Sequence, residues 1–234
     1  LIVSPNQSNI FTVLRSYLLS VLPPGVDVLR SQVNRVAEPV GADFVMMTPL
    51  RQERLETNVD SFADCLFNAS IAGNILTVNS ISIGKISVGA QVFGIGLSGT
   101  LTIVASAGGT GGPGNYQLNG TAATPSQIMA AGLQALMQPT EWTIQLDCHG
   151  PNSSDNASII STTFRDSYAL NQFATSGFDV TPLYADDPKQ VVFISDQEQM
   201  EDRWIVEACM QANQVVSISQ QFADIVSVTL IRVP

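Results

Sequence analysis

Ile75-Leu76-Thr77-Val78, Ile86-Ser87-Val88 and Leu101-Thr102-Ile103, punctuated by Gly84, Gly89, Gly94 and Gly99, decide how the chain divides. β-Branched and aliphatic residues alternate there with small polar ones in short runs that end in glycine, the pattern of strands joined by tight turns. The runs belong to a stretch from Asn68 to about Met137, where Lys85 is the only charge between Asn68 and Thr124. Ala107-Gly108-Gly109-Thr110-Gly111-Gly112-Pro113-Gly114 is too glycine-rich for regular structure and reads as a loop with a flexible tip; Tyr116-Gln117-Leu118 then resumes the strand pattern. So few charges leave little from which to build a catalytic centre. The expectation is a small all-β module over 68–137, a surface or spacer inserted into an α+β domain formed by 1–67 and 138–234.

The flanks carry helical and strand periods in turn. Asn6-Gln7-Ser8-Asn9 offers helix caps, Ile10, Phe11, Leu14, Tyr17, Leu18 and Val21 recur at helical spacing, and Pro23-Pro24-Gly25 ends the run. Val26 to Val33 and Phe44-Val45-Met46-Met47 read as two strands of a hairpin turned by Pro39-Val40-Gly41-Ala42, followed by the polar segment Arg51 to Glu56. Residues 125–137 fit a helix through Met129, Leu133, Leu136 and Met137, or a strand given Gly132. Trp142 to Cys148 alternates as a central strand, and Asn152 to Asn156 opens a second helix with Ile159, Ile160, Phe164, Tyr168, Leu170 and Phe173 on its apolar face, ending near Gly177. Val191–Ile194, Arg203–Met210, Val215–Ser219 and Ile225–Val233 complete a mostly antiparallel sheet with two helices, an α+β class.

A chain of 234 residues can bury one core plus a small accessory one. No apolar run approaches the roughly 18 to 20 residues that cross a bilayer, so a soluble protein with no membrane partner is expected. Leu1-Ile2-Val3 lacks the basic leader and length of an export signal. Cys65, Cys148 and Cys209 are odd in number and widely spaced, as reduced core thiols in a reducing compartment would be. The net charge of −10 resides mostly in residues 138–234, with thirteen acids against four bases. Such a surface repels nucleic acid, though DNA can pass a wall to which it does not adhere.

Several motifs invite a functional reading, and each has a plainer one. Gly94-Ile95-Gly96-Leu97-Ser98-Gly99 matches the dinucleotide fingerprint in letters, but a strand follows it and no Asp or Glu appears before Glu141, so these are turn glycines. Gly108 to Gly114 has no Gly-Lys-Ser/Thr to make a phosphate cradle. Asp147-Cys148-His149 joins an acid, a thiol and the sole histidine, yet a strand points Cys148 away from its neighbours, and a metal would need ligands from elsewhere. Asp60 and Asp64 at helical i,i+4 spacing and the adjacent Asp186-Asp187 could hold a cation or move a proton, but such pairs are usually solvated. No residue is assigned a catalytic, cofactor-binding or metal-binding role.

Blocks outside the β-module form a recognisable set: Asn6-Gln7-Ser8-Asn9-Ile10-Phe11, Gln32-Val33-Asn34-Arg35-Val36, Phe44 to Leu50, Arg54-Leu55, Gln145 to Pro151, Asp155-Asn156-Ala157, Phe164-Arg165-Asp166, Pro182 to Pro188 and Gln199 to Trp204. Together they resemble the bacteriophage neck (tail) terminator proteins, and the middle resembles the Gly/Thr-rich β-modules of phage structural proteins. The resemblance implies a virion component at the tail-neck junction, assembled in the bacterial host cytoplasm, with no enzymatic activity and no cofactor. It implies an α+β fold with a sheet flanked by helices. It also implies a homo-oligomeric ring, usually a hexamer, on the last layer of the tail tube. The ring would touch the tube protein, the sheath protein if the tail contracts, and neck or connector proteins, with DNA passing through its lumen unbound. Two competitors stand beside it. One is a phage decoration or a receptor- or carbohydrate-binding protein working through the β-module, whose aromatics are only Phe93 and Tyr116; the other is a thiol hydrolase around Cys148 and His149.

Overall fold

A computed structural model of the chain describes residues 2–31, 41–194 and 200–220. In order, its elements are β1 (Ile2–Ser4), α1 (Gln7–Val21), β2 (Asp27–Arg30), β3 (Phe44–Arg54), β4 (Val59–Ile83), β5 (Gln91–Gly94), β6 (Leu101–Ser106), β7 (Gly114–His149), α2 (Ser153–Phe164), α3 (Ser167–Ala174), β8 (Val180–Ala185), β9 (Lys189–Gln190), β10 (Phe193–Ile194), β11 (Met200–Glu201) and β12 (Arg203–Ser219). They gather into two compact units. The sequence sets 68–137 apart; the unit holding that stretch spans 59–137 with 216–220 and Ile2, and the other spans 3–58 and 138–215, masked residues aside.

In the larger unit, α1 starts where expected because Asn6 and Asn9 cap each other. The Asn9 N–H donates to Asn6 Oδ1 at 2.9 Å and the Asn6 N–H to Asn9 Oδ1 at 3.0 Å. Ile10, Phe11, Val13, Leu14, Tyr17 and Leu18 are its buried face. The second predicted helix is two helices. Asp166 sits in an extended conformation and its carboxylate accepts the Tyr168 N–H at 2.9 Å, so the backbone leaves α2 and a fresh helix, α3, begins. The three helices meet around one tyrosine: the Tyr17 ring lies edge-on to Phe164 at 5.4 Å, Phe164 edge-on to Phe173 at 5.8 Å, and Tyr17 Oη is 2.6 Å from Thr163 Oγ1. Strand residues Val28, Val45, Met47, Trp142, Ile144, Leu146, Val206 and Met210 complete this core.

The sheet runs β1-β12-β7-β3-β2, with β8 and β9 also on β12. The predicted hairpin of β2 and β3 does not form: the two strands are parallel, with Asp27 opposite Phe44 and Arg30 opposite Met47. The thirteen residues between them, 31–43, suffice for the crossover that a parallel pair needs, whereas a hairpin needs only a short turn. Residues 32–40, which include Pro39 and Val40 of the predicted turn, lie outside the described residues, as does the strand expected at Ile225–Val233. Arg51 to Arg54, read as a polar segment, continue β3. Arg203–Met210 and Val215–Ser219 are one strand, β12, and Phe193–Ile194 pairs with Met200–Glu201.

The smaller unit resolves the ambiguity at 125–137 as strand, within β7. β4 pairs with β7 from Val59–Met137 to Val78–Gly114, while the β5–β6 hairpin joins β7 at both ends: β5 lies along Met129–Gly132 and β6 along Tyr116–Leu118. The hydrogen-bond ladder therefore returns on itself, a small barrel with its own core. Cys65, Phe67, Ala69 and Ile71 face inward at alternate positions. The register shift at Ala69/Ile71 leaves that alternation intact on β4; past the one at Gly73/Ile75 the parity changes, and Leu76 and Val78 face inward next. Tyr116, Leu118, Met129, Ala131, Val92 and Ile103 fill the remainder.

Candidate assembly surface

The motifs singled out in the sequence have structural occupations. Gly94 to Gly99 is the turn between β5 and β6, with Gly96 at φ +76° and Gly99 at φ +81° and open space around both. The glycine loop 107–113, expected to have a flexible tip, is wrapped on a buried phenol. The Gly111 N–H donates to Tyr116 Oη at 3.0 Å, and Tyr116 Oη donates to the Gly112 carbonyl at 2.6 Å. A Cβ on Gly109 would stand 2.3 Å from the Tyr116 ring. Tyr116 is thus buried and Phe93 half-buried, so neither expected aromatic offers an open stacking platform for a sugar.

Asp147, Cys148 and His149 alternate along β7 as the strand reading requires. Asp147, 6% exposed in its side chain, accepts from Arg203 Nε at 3.0 Å and Nη2 at 2.5 Å, and from Gln145 Nε2 at 2.8 and 2.9 Å. Such a carboxylate is a structural ion-pair partner. His149 stacks on Phe44, its cross-strand neighbour, with ring centroids 4.5 Å apart. Cys148 points into the core beside Val45, where burial pushes its thiol up to about 12 and leaves no thiolate for nucleophilic attack at neutral pH.

The carboxylate pairs also separate. Asp186 faces Lys189 at 3.8 Å, and Asp187 faces Arg165 at 3.2 Å. Asp60 and Asp64 lie on β4 and not on a helix, so their i,i+4 spacing sets them about 13 Å apart on one face, too far to share a cation. Among the described residues no cluster of three or more His, Cys, Asp or Glu could hold a metal, and no helix is long and apolar enough to cross a membrane.

Sequence reasoning overlooked the surface that this strand presents. Val59 to Asp64 is exposed on both faces, although it pairs with Met137 to Gly132 along one edge. Its other edge has no partner among the described strand pairs until Asp64, where the chain returns. A Cβ on Gly84 would stand 1.8 Å from the Asp64 carbonyl oxygen, so only glycine lets the backbone close over that point. Asp60, Phe62 and Asp64 share one face, and Phe62 is 60% exposed. An open edge carrying an exposed aromatic is a template for pairing with another chain, and monomeric proteins normally blunt it. The alternation Asp60-Ser61-Phe62-Ala63-Asp64 was the available signal; helical spacing of the two acids concealed it.

Residues 103–232, more than half of the chain, match the family model described as phage neck terminator protein. The match takes in residues 103–137 of the barrel as well as α2, α3 and β8–β12. No curated protein matches the chain.

Proposed function

Because the chain belongs to the phage neck terminator family, a family of structural proteins of the tail and neck, we propose that it closes a ring of identical copies, six in number, on the last layer of the tail tube. One face of the ring ends tube growth and the other receives neck or connector proteins; in a contractile tail the ring also anchors the sheath. Residues 68–137 act as a brace appended to the ring-forming domain. The chain works through shape and self-association, without catalysis, and DNA crosses the lumen without specific contacts. The observation that carries this reading is the Val59–Asp64 edge, exposed on both faces with Phe62 open to solvent, on a chain whose family belongs to the phage neck. The excess of carboxylates favours a lumen that repels the DNA backbone. Gold-labelled antibody against the chain should mark the tail-neck junction of intact particles, and images of that junction should show a six-fold ring. Particles without the label would overturn the reading, and label elsewhere on the tail would move the protein to a decoration role.

A further inference from the structure

The larger unit carries a groove that suits the exposed strand of the smaller one. It lies between α1 and β2, is a shallow, open depression of about 340 Å³, and has the buried side chains of Phe11, Val28 and Met47 in its lining. Two guanidiniums stand over that apolar lining. Arg15 Nε donates to the Val28 carbonyl at 3.1 Å, and Arg30 Cζ lies 4.3 Å from the centroid of the Phe11 ring. Among the described residues neither arginine is in an ion pair, a condition they share with Arg54 and Lys85, whereas Arg51, Arg165, Lys189 and Arg203 each face a carboxylate. In a chain with net charge −10, two guanidiniums in one groove, neither paired with a carboxylate among the described residues, make a local concentration of positive charge. Among the described strands β2 is also the last of its sheet, so the groove borders a sheet edge.

The β4 segment has the complementary pattern. Phe62 projects between Asp60 and Asp64 on one face, each carboxylate about 7 Å along the strand from the aromatic ring's own residue. We propose that Asp60-Ser61-Phe62-Ala63-Asp64 of one copy docks in the Arg15/Arg30 groove of the next, with the Phe62 ring on the Phe11–Val28–Met47 lining and the two carboxylates on the two guanidiniums. The proposal rests on the ring reading and specifies its contact. An aromatic anchor in a pocket, flanked by arginine-carboxylate pairs, is the composition that dominates binding energy in protein interfaces. The two surfaces differ from each other, so the contact is head-to-tail, the kind that builds a ring when the rotation from copy to copy closes. Acid on one surface and base on the other also select against the tail-to-tail encounter of two acidic strands.

Charge exchange tests the contact. The Asp60→Arg/Asp64→Arg variant, with both side chains exposed, should melt like the parent, and the Arg15→Glu/Arg30→Glu variant somewhat below it for loss of the Val28 hydrogen bond and the Phe11 contact; each should lose self-association by about 30-fold or more in light scattering. Mixed one to one, the two variants should recover the mass of the parent assembly, because each supplies the charge that the other's groove or strand now requires. Phe62→Ala alone should weaken association without any charge change, and raising the salt should weaken the parent's association. An acid-to-arginine variant that keeps the parent's mass overturns the docking site while leaving ring formation standing. A mixture that stays at the mass of its separate components also overturns it, as does a parent chain that remains monomeric across the concentration range. Antibody labelling of particles judges the ring reading independently of all three.

Discussion

Tyr17 and Tyr116 are both buried, one at the centre of each compact unit, and they organise their surroundings by different means. Tyr17 packs edge-on against Phe164, tilts against Phe173 and pairs its hydroxyl with Thr163, so large side chains from three helices lock around it. Tyr116 has no such company. Its hydroxyl binds the backbone at Gly111 and Gly112, and its ring lies where Gly109 has no Cβ. The helical core gains uniqueness from shape complementarity among side chains, whereas the barrel gains it from one phenol that gives order to a run of glycines. The charge contrast follows from this, since a barrel held by backbone pairing and a few apolar residues has no use for ion pairs inside.

The two cores offer different handles for breaking that contrast. Trp142 and Trp204, the only tryptophans, both belong to the larger unit, so indole fluorescence reports on that unit alone. Phe67→Ala empties the middle of the barrel and should cost it about 3–5 kcal/mol. Circular dichroism should then show an early loss of strand signal, with indole fluorescence unchanged until the parent's midpoint; a single shared transition would show that the cores are not energetically separate. Arg203→Met strands the Asp147 carboxylate in the larger unit and should cost about 3 kcal/mol in urea unfolding followed by fluorescence. Gly109→Ala should cost the barrel about 1–3 kcal/mol as Tyr116 is forced aside, readable as a perturbed near-ultraviolet tyrosine signal.

Alkaline pH separates the units less sharply. Burial raises Cys148 to about 12 and Cys65 to about 11 from 9.0, and Tyr17 to about 12 from 10.0. Unfolding lets these groups ionise at their ordinary values, so stability is intact below about pH 9 and falls as pH rises towards 12. Cys148→Ala should make that fall shallower in fluorescence-detected urea midpoints taken between pH 8 and 11. The smallest effect belongs to Asp187→Ala, whose carboxylate is 90% exposed beside Arg165; its thermal midpoint should match the parent's within error.

Much of this architecture could be read along the chain, and the failures are local. The face of α1 was legible because Ile10, Leu14, Tyr17 and Leu18 repeat at one period, and the Asn6/Asn9 cap marked its start. The two-helix break was hidden because Ile160, Phe164 and Tyr168 follow at four-residue intervals across Asp166, whose capping role depends on backbone geometry. The direction of β2 against β3 was not legible at all: pairing sense depends on a connection, and Pro39-Val40-Gly41-Ala42 suits a turn equally well whichever way the chain comes back. Closure of the barrel escaped notice because it rests on two separate stretches of β7 pairing with β5 and with β6, a pairing that leaves no strong residue signature. The exposed Phe62 face was missed for a related reason: a hydrophobic residue's exposure is a property of the assembled sheet.

The turn at Gly96 and Gly99 has a practical use. Nothing lies within 4 Å of where a side chain would begin at either position, and the segment sits between the short strands of a hairpin. A peptide epitope or a metal-cluster tag spliced there would hang clear of the barrel, giving electron microscopists a fiducial by which to orient this chain inside a particle.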